Sequence, residues 1–132
     1  MIVRTLDDVF GTEREVHCPS GGFTSYRYLL KRDGMGYSMH KTIIPCGTVS
    51  QWHYKHHLES CYCVRGSAKL IAEDSGESWY ISEGSMYALD KNDRHTFVAF
   101  DETELICVFN PPICGSEVHR EDGSYEGGFD GE

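Results

Sequence analysis

Apolar residues along this chain fall in short runs rich in β-branched and aromatic side chains, with polar, turn-forming clusters between them. The runs are YRYLL (26–30), GYSMHKTIIP (36–45), SCYCVRG (60–66), AKLIAE (68–73), ESWYIS (77–82), SMYALD (85–90), HTFVAF (95–100) and ELICVFN (104–110). Between them, RDGMG, PCG, EDSGE, SEGS, DKND and FDETE carry the Gly, Asp or Asn that tight turns favour. No stretch holds a long helical period, and no segment repeats. Strands recurring about every ten residues predict an all-β domain, a sandwich or barrel of mostly antiparallel strands. Residues 5–15 are expected to form a short helix or an edge segment. The domain is expected to span residues 1–120, followed by a loosely ordered tail at 121–132, the acidic, glycine-rich EDGSYEGGFDGE.

Composition narrows the possible partners. A chain of 132 residues can build one core but not two. Acidic residues outnumber basic ones 21 to 12, for a net charge of −9, so neither nucleic acid nor an anionic membrane is an expected partner. No apolar run approaches the ~20 residues of a membrane-spanning helix. The opening MIVRTLDDVFGTERE lacks the apolar core of a signal peptide, so a cytoplasmic location is expected. In that compartment the six cysteines read as reduced thiols packed as small hydrophobes. Cys61 and Cys63 share one face of a strand, yet no second cysteine pair completes a site, and structural zinc is not expected.

The densest chemistry lies in HYKHHLES, residues 53–60, read as a strand facing a cavity. Gly47, His53, Lys55, Glu59 and Gly66 follow the spacing Gly, five residues, His-x-His, three residues, Glu, six residues, Gly, with Lys55 in place of the second histidine. This resembles the first cupin motif. Gly76, Gly84 and Tyr87 fall at the spacings of the second, with Tyr87 at its histidine position and Ser82 at its proline. A three-histidine cupin site is thereby excluded. What remains is Glu59, Tyr87 and His95, a carboxylate, a phenol and an imidazole from three separate strands or strand ends. Taken singly, each has an ordinary reading as a solvated acid, a packing tyrosine and a turn histidine. Together, at cupin spacing, they form an oxygen-rich set that suits iron better than structural zinc and leaves positions open for substrate. His53 and His56 stay unassigned.

A wider resemblance rests on MIVRTLDDVFGTEREV, LLKRDGMGYS, YKHHLESCYCVRG, MYALDKNDRH and CVFNPPICGSEVHREDGSY. In order and spacing these blocks resemble the ectoine synthases, small cupin enzymes of osmolyte biosynthesis, over nearly the whole chain. The resemblance implies closure of N4-acetyl-L-2,4-diaminobutyrate into ectoine with loss of water, by an iron(II)-dependent lyase that forms a homodimer. It implies Glu59, Tyr87 and His95 as iron ligands. Substrate-side residues would be Phe23, Arg27, His40, Thr42, Tyr54, Leu89, Phe109 and Pro111, with Glu117, His119, His57 and Asp93 as candidates for proton transfer. Gly66 and Gly115 match for backbone shape. Phe23 stands where the family usually has a tryptophan, and Ser60-Cys61 replaces a small, apolar pair. Arg27 can clamp the substrate carboxylate, and the ICGSEVH segment is expected to close over the barrel mouth. Two alternatives stay open. One is a divergent cupin acting on a related acylated diamino acid, or hydrolysing ectoine; the other is a non-catalytic ectoine-binding sensor.

Overall fold

The computed structural model describes residues 1–115. Among these residues the chain forms β1 (Glu15–His17), β2 (Thr24–Leu29), β3 (Ser38–Ile44), β4 (Val49–Trp52), β5 (Leu58–Arg65), β6 (Ser67–Ala72), β7 (Ser78–Ser82), β8 (Met86–Leu89), β9 (His95–Ala99) and β10 (Thr103–Asn110). They assemble into two antiparallel sheets, one ordered β1-β2-β3-β10-β5-β8 and the other β4-β9-β6-β7. The fold is all-β, as the apolar runs predict, and each of the eight runs overlaps one of β2, β3 and β5–β10.

Alternation explains the core. In β3 and β10 every second side chain is buried, and the same period runs through the first part of β5. Ile44, Cys63 and Leu105 from the larger sheet belong to one apolar cluster with Trp52, Leu70, Ile81, Phe97 and Ala99 from the smaller. No helix among the described residues is long and apolar enough to cross a membrane.

Three details depart from or extend the sequence expectations. HYKHHLES is not a strand throughout: residues 53–57 leave the sheet to carry the chain from β4 in one layer to β5 in the other, and the strand starts at Leu58. Strands β1 and β4 lie outside the apolar runs, because β1 is a three-residue edge and three of the four β4 side chains face at least partly outward. Residues 5–15 supply both expected elements, a 3-10 turn at Leu6–Asp8 and the start of edge strand β1.

Two local features hold the frame. Asp33 ends a second 3-10 turn, Lys31–Asp33, and accepts from Arg4 Nη2 (2.9 Å), Arg14 Nη1 (3.0 Å) and the Leu30 amide (2.8 Å), so the N-terminal arm is tied to the end of β2. Gly66 joins β5 to β6 at φ +101°, where a Cβ would lie 2.5 Å from the Glu102 carbonyl oxygen and 2.6 Å from Thr103 Cα. Only glycine fits that crossing.

Candidate active site

Register, not sequence proximity, builds the site. Across the larger sheet, Arg27 pairs with His40, His40 with Cys107, Cys107 with Cys61, and Cys61 with Tyr87. One row therefore crosses β2, β3, β10, β5 and β8, with all five side chains buried on the inner face. The adjacent row holds Ser38, Phe109, Glu59 and Leu89. From the opposite sheet, His95 on β9 pairs with Trp52 on β4 and meets Tyr87 with ring centroids 6.3 Å apart.

Phe23, His40, Thr42, Tyr54, Glu59, Tyr87 and Phe109, all singled out from the sequence, line one inner cavity of about 20 Å³ together with Trp52, Leu105 and Cys107. That space holds about one water molecule. Tyr87 is also part of a wider cleft of about 510 Å³ on the β7–β8 side, which Leu89, Asp93 and His95 line as well. The second volume lies in the ordinary range for small-molecule sites. Tyr87 is common to the two linings.

Aromatic packing fixes the inner wall. Phe109 stacks on His40 at 5.2 Å and meets Tyr54 edge-on at 5.1 Å and His57 edge-on at 5.9 Å. Phe23 meets Trp52 edge-on at 6.1 Å. Asn92, in a left-handed turn at φ 53°, donates through Nδ2 to the carbonyls of Tyr54 (2.9 Å) and His57 (3.0 Å). It thereby clips the 53–57 connection to the β8–β9 turn. Arg27 is no surface residue: it is fully buried, and donates from Nε to Ser25 Oγ (3.1 Å) and from Nη1 to the Gly115 carbonyl (2.6 Å).

The electrostatics favour a bound cation. Burial pushes the Glu59 carboxyl up to about 7, against the pull of hydrogen bonds from the Cys61 and Cys107 thiols. Burial also raises the Tyr87 phenol, with the negative charge potential of Cys61 and Glu59 adding to it. The His95 imidazole is lowered by burial, against the Asp93 carbonyl. His40 is lowered well below its ordinary value by burial and by Arg27, so its ring is neutral. His95 Nδ1 is 2.9 Å from the Asp93 carbonyl and must donate to it, which leaves the lone pair on Nε2. His95 Nε2, Tyr87 Oη and His40 Nε2 are buried and meet no hydrogen-bond partner among the described residues. Buried polar atoms without partners are costly, and a cation reverses that balance for a carboxylate, a phenol and an imidazole. The donor set therefore fits a divalent metal ion. Glu59, Cys61 and Cys107 form a further buried group, with ligand atoms all within 4.8 Å of one another.

Some expected site residues lie elsewhere. Pro111 follows a cis peptide bond, is exposed, and lines neither cavity. Glu117, His119 and the ICGSEVH closure beyond Gly115 lie outside the described residues, as does the boundary at 121. His53 is half-buried and close enough for its charge to act on His95, while His56 is exposed. Sequence reasoning missed Trp52, Asn92 and the Cys61–Cys107 pairing. Trp52 and Asn92 carry no metal or acid–base signature, and the cysteine pairing joins residues 46 positions apart.

Comparison with known proteins gives a consistent result. The ectoine synthase family profile matches residues 1–128. The L-ectoine synthase of Wolinella succinogenes is 52% identical over 125 residues, covering 95% of each chain. That of Desulfatibacillum aliphaticivorans is 50% identical over 125 residues, covering 95% of this chain and 96% of its own. The crystal structure of ectoine synthase from P. lautus superposes with a TM-score of 0.82 at 37% identity, covering 87% of this chain and 81% of that one. An RmlC-like cupin from Shewanella frigidimarina shares the fold at a TM-score of 0.62 and 18% identity, covering 77% of this chain and 87% of that one. With its cupin fold and a profile match over nearly its whole length, the chain belongs to the ectoine synthase family.

Proposed function

We propose that this chain is an iron(II)-dependent ectoine synthase, a lyase that closes N4-acetyl-L-2,4-diaminobutyrate into ectoine with release of water. We further propose that it acts in the cytoplasm as a homodimer. The observation that supports this reading is that Glu59, Tyr87 and His95 are all buried, Glu59 and Tyr87 lining the inner cavity and Tyr87 and His95 the neighbouring cleft, in a chain of this family. Glu59, Tyr87 and His95 would hold the iron, which when bound supplies Lewis-acid polarisation of the acetamide carbonyl.

The chain's own residues do the rest. Arg27 carries a permanent positive charge behind His40 and attracts the substrate carboxylate. Phe109, with the rings of His40, Tyr54 and His57 against it, forms a stiff apolar wall on the inner side of the proposed metal ligands. The same wall, with Phe23 and Trp52, limits water in a reaction whose product is water. As the α-amine nitrogen bonds to the acetamide carbon, it gives up two protons, and the departing oxygen takes up two. Glu117, His119, His57 and Asp93 are the groups assigned to that transfer. Thr42 and Leu89 complete the substrate side, and Pro111 acts from outside it by shaping the chain after β10.

The test is turnover of N4-acetyl-L-2,4-diaminobutyrate by purified protein, stripped of metal and restored anaerobically with iron(II), beside Glu59→Ala. Iron-dependent ectoine formation that disappears in the variant is expected. Tight ectoine binding with no turnover at any metal loading would instead make the protein a solute-binding cupin.

A further inference from the structure

Cys61 and Cys107 stand directly opposite each other on β5 and β10, with their Sγ atoms 3.5 Å apart. Both are buried, and the Glu59 carboxylate lies close enough for all three ligand atoms to fall within 4.8 Å of one another. A tetrahedral ion bound at about 2.3 Å to two sulfurs holds them about 3.8 Å apart. The two thiols are therefore within a few tenths of an ångström of the spacing such an ion needs. The ladder between the strands fixes that spacing without any ligand. Cys63, two residues on, takes no part, because its thiol is turned to the Arg65 carbonyl at 3.4 Å.

We infer that Glu59, Cys61 and Cys107 form a second ligand set, one that takes a thiophilic divalent cation of the zinc class. Two sulfurs and one carboxylate are softer donors than a carboxylate, a phenol and an imidazole, and they favour zinc, cadmium or cobalt. Two of the three ligands, Glu59 and Cys107, line the inner cavity, which His40 also lines and which is large enough for one water. A second observation points the same way. His40, next to Cys107 in the row, is 1% exposed and neutral, and its Nε2 meets no hydrogen-bond partner among the described residues. The inner cavity thus offers a water to complete the tetrahedron, with the His40 imidazole on the same cavity wall as an acceptor for it. Because Glu59 belongs to both sets, an ion on the thiols excludes iron from Glu59; only this exclusion rests on the proposed iron site. Binding releases the thiol protons to solvent.

Cobalt(II) is the probe. The reduced, chelator-stripped full chain should bind one cobalt ion and show a sulfur-to-cobalt charge-transfer band in the near ultraviolet. Cys61→Val should weaken zinc binding at least tenfold and roughly halve the band, and Cys61→Val with Cys107→Val should abolish it. Tyr87→Phe should leave the band in place while iron binding falls, which separates this site from the iron reading. Cobalt binding with no sulfur band, or a band that survives in the double variant, overturns the inference. Should the double variant not fold, zinc-edge X-ray absorption on the unaltered protein decides: two sulfurs at about 2.3 Å support the site, and none overturns it.

Discussion

Substituting Glu59 by glutamine changes how the stability of the metal-free protein depends on pH. Burial raises the Glu59 carboxyl to about 7 from an ordinary value of 4.5. In the unfolded chain the group ionises near 4.5; in the fold it keeps its proton until about 7. The folded state therefore binds more protons across that window, and stability falls as pH rises through it. The contribution is full below pH 4.5 and gone above about 7. A shift of that size corresponds to about 3 kcal/mol at ~1.4 kcal/mol per pH unit. For 132 residues, with an unfolding entropy of about 2 cal/mol/K each, that is a melting shift of about 11 °C. Glutamine preserves the shape and does not titrate. His40 and His95 are lowered by burial and act with the opposite sign, but they are present in both proteins, so the difference in slope isolates Glu59. The assay is chemical unfolding at several pH values between 4 and 8, with chelator present. Wild type should lose about 3 kcal/mol more than Glu59→Gln over this range, and saturating iron(II) should remove the difference. Equal slopes would refute the claim that burial raises the Glu59 carboxyl.

Gly66→Ala should destabilise by about 3 kcal/mol, read as a lower melting temperature, because a Cβ would meet backbone atoms at 2.5 and 2.6 Å at positive φ. Asp33→Asn should destabilise at neutral pH. Burial raises the Asp33 carboxyl, but Arg14, the Leu30 amide and Arg4 together bring it down to about 2 from 3.8. Its stabilisation is present above pH 3.8 and is lost as pH falls through about 2, so wild type and variant should converge in acid denaturation curves. Asn92→Asp keeps a residue that tolerates the left-handed turn but removes the donor to Tyr54 and His57. It should cost about 1–3 kcal/mol, speed amide exchange in residues 53–57, and lower turnover.

Much of the fold was legible in the chain. Runs such as HTFVAF and ELICVFN, bounded by turn clusters, carry the strand signal locally, and they cover β9 and all but the first residue of β10. Mostly outward-facing β4 lacks that signal and was invisible for that reason, while short β1 showed only as an edge segment starting within residues 5–15. The cupin spacing was also readable, because Gly47, Glu59 and Gly66, and then Gly76, Gly84 and Tyr87, stand at set separations along the chain. The ectoine synthase likeness rests on contiguous blocks such as MYALDKNDRH and CVFNPPICGSEVHREDGSY. The 53–57 connection was misjudged as strand, since its crossing between layers depends on where β4 and β5 are paired.

What the sequence by itself determined is therefore the local part: the all-β class, most strand positions, and the family to which Glu59, Tyr87 and His95 point. Only the tertiary structure decided which side chains meet. The row Arg27–His40–Cys107–Cys61–Tyr87 takes its members from β2, β3, β10, β5 and β8, an order unrelated to that of the chain. Side-chain alternation repeats every two residues within a strand and can be read locally. Strand order and register follow from the burial of the whole core, and a slip of one residue in β5 would turn Glu59 and Cys61 outward.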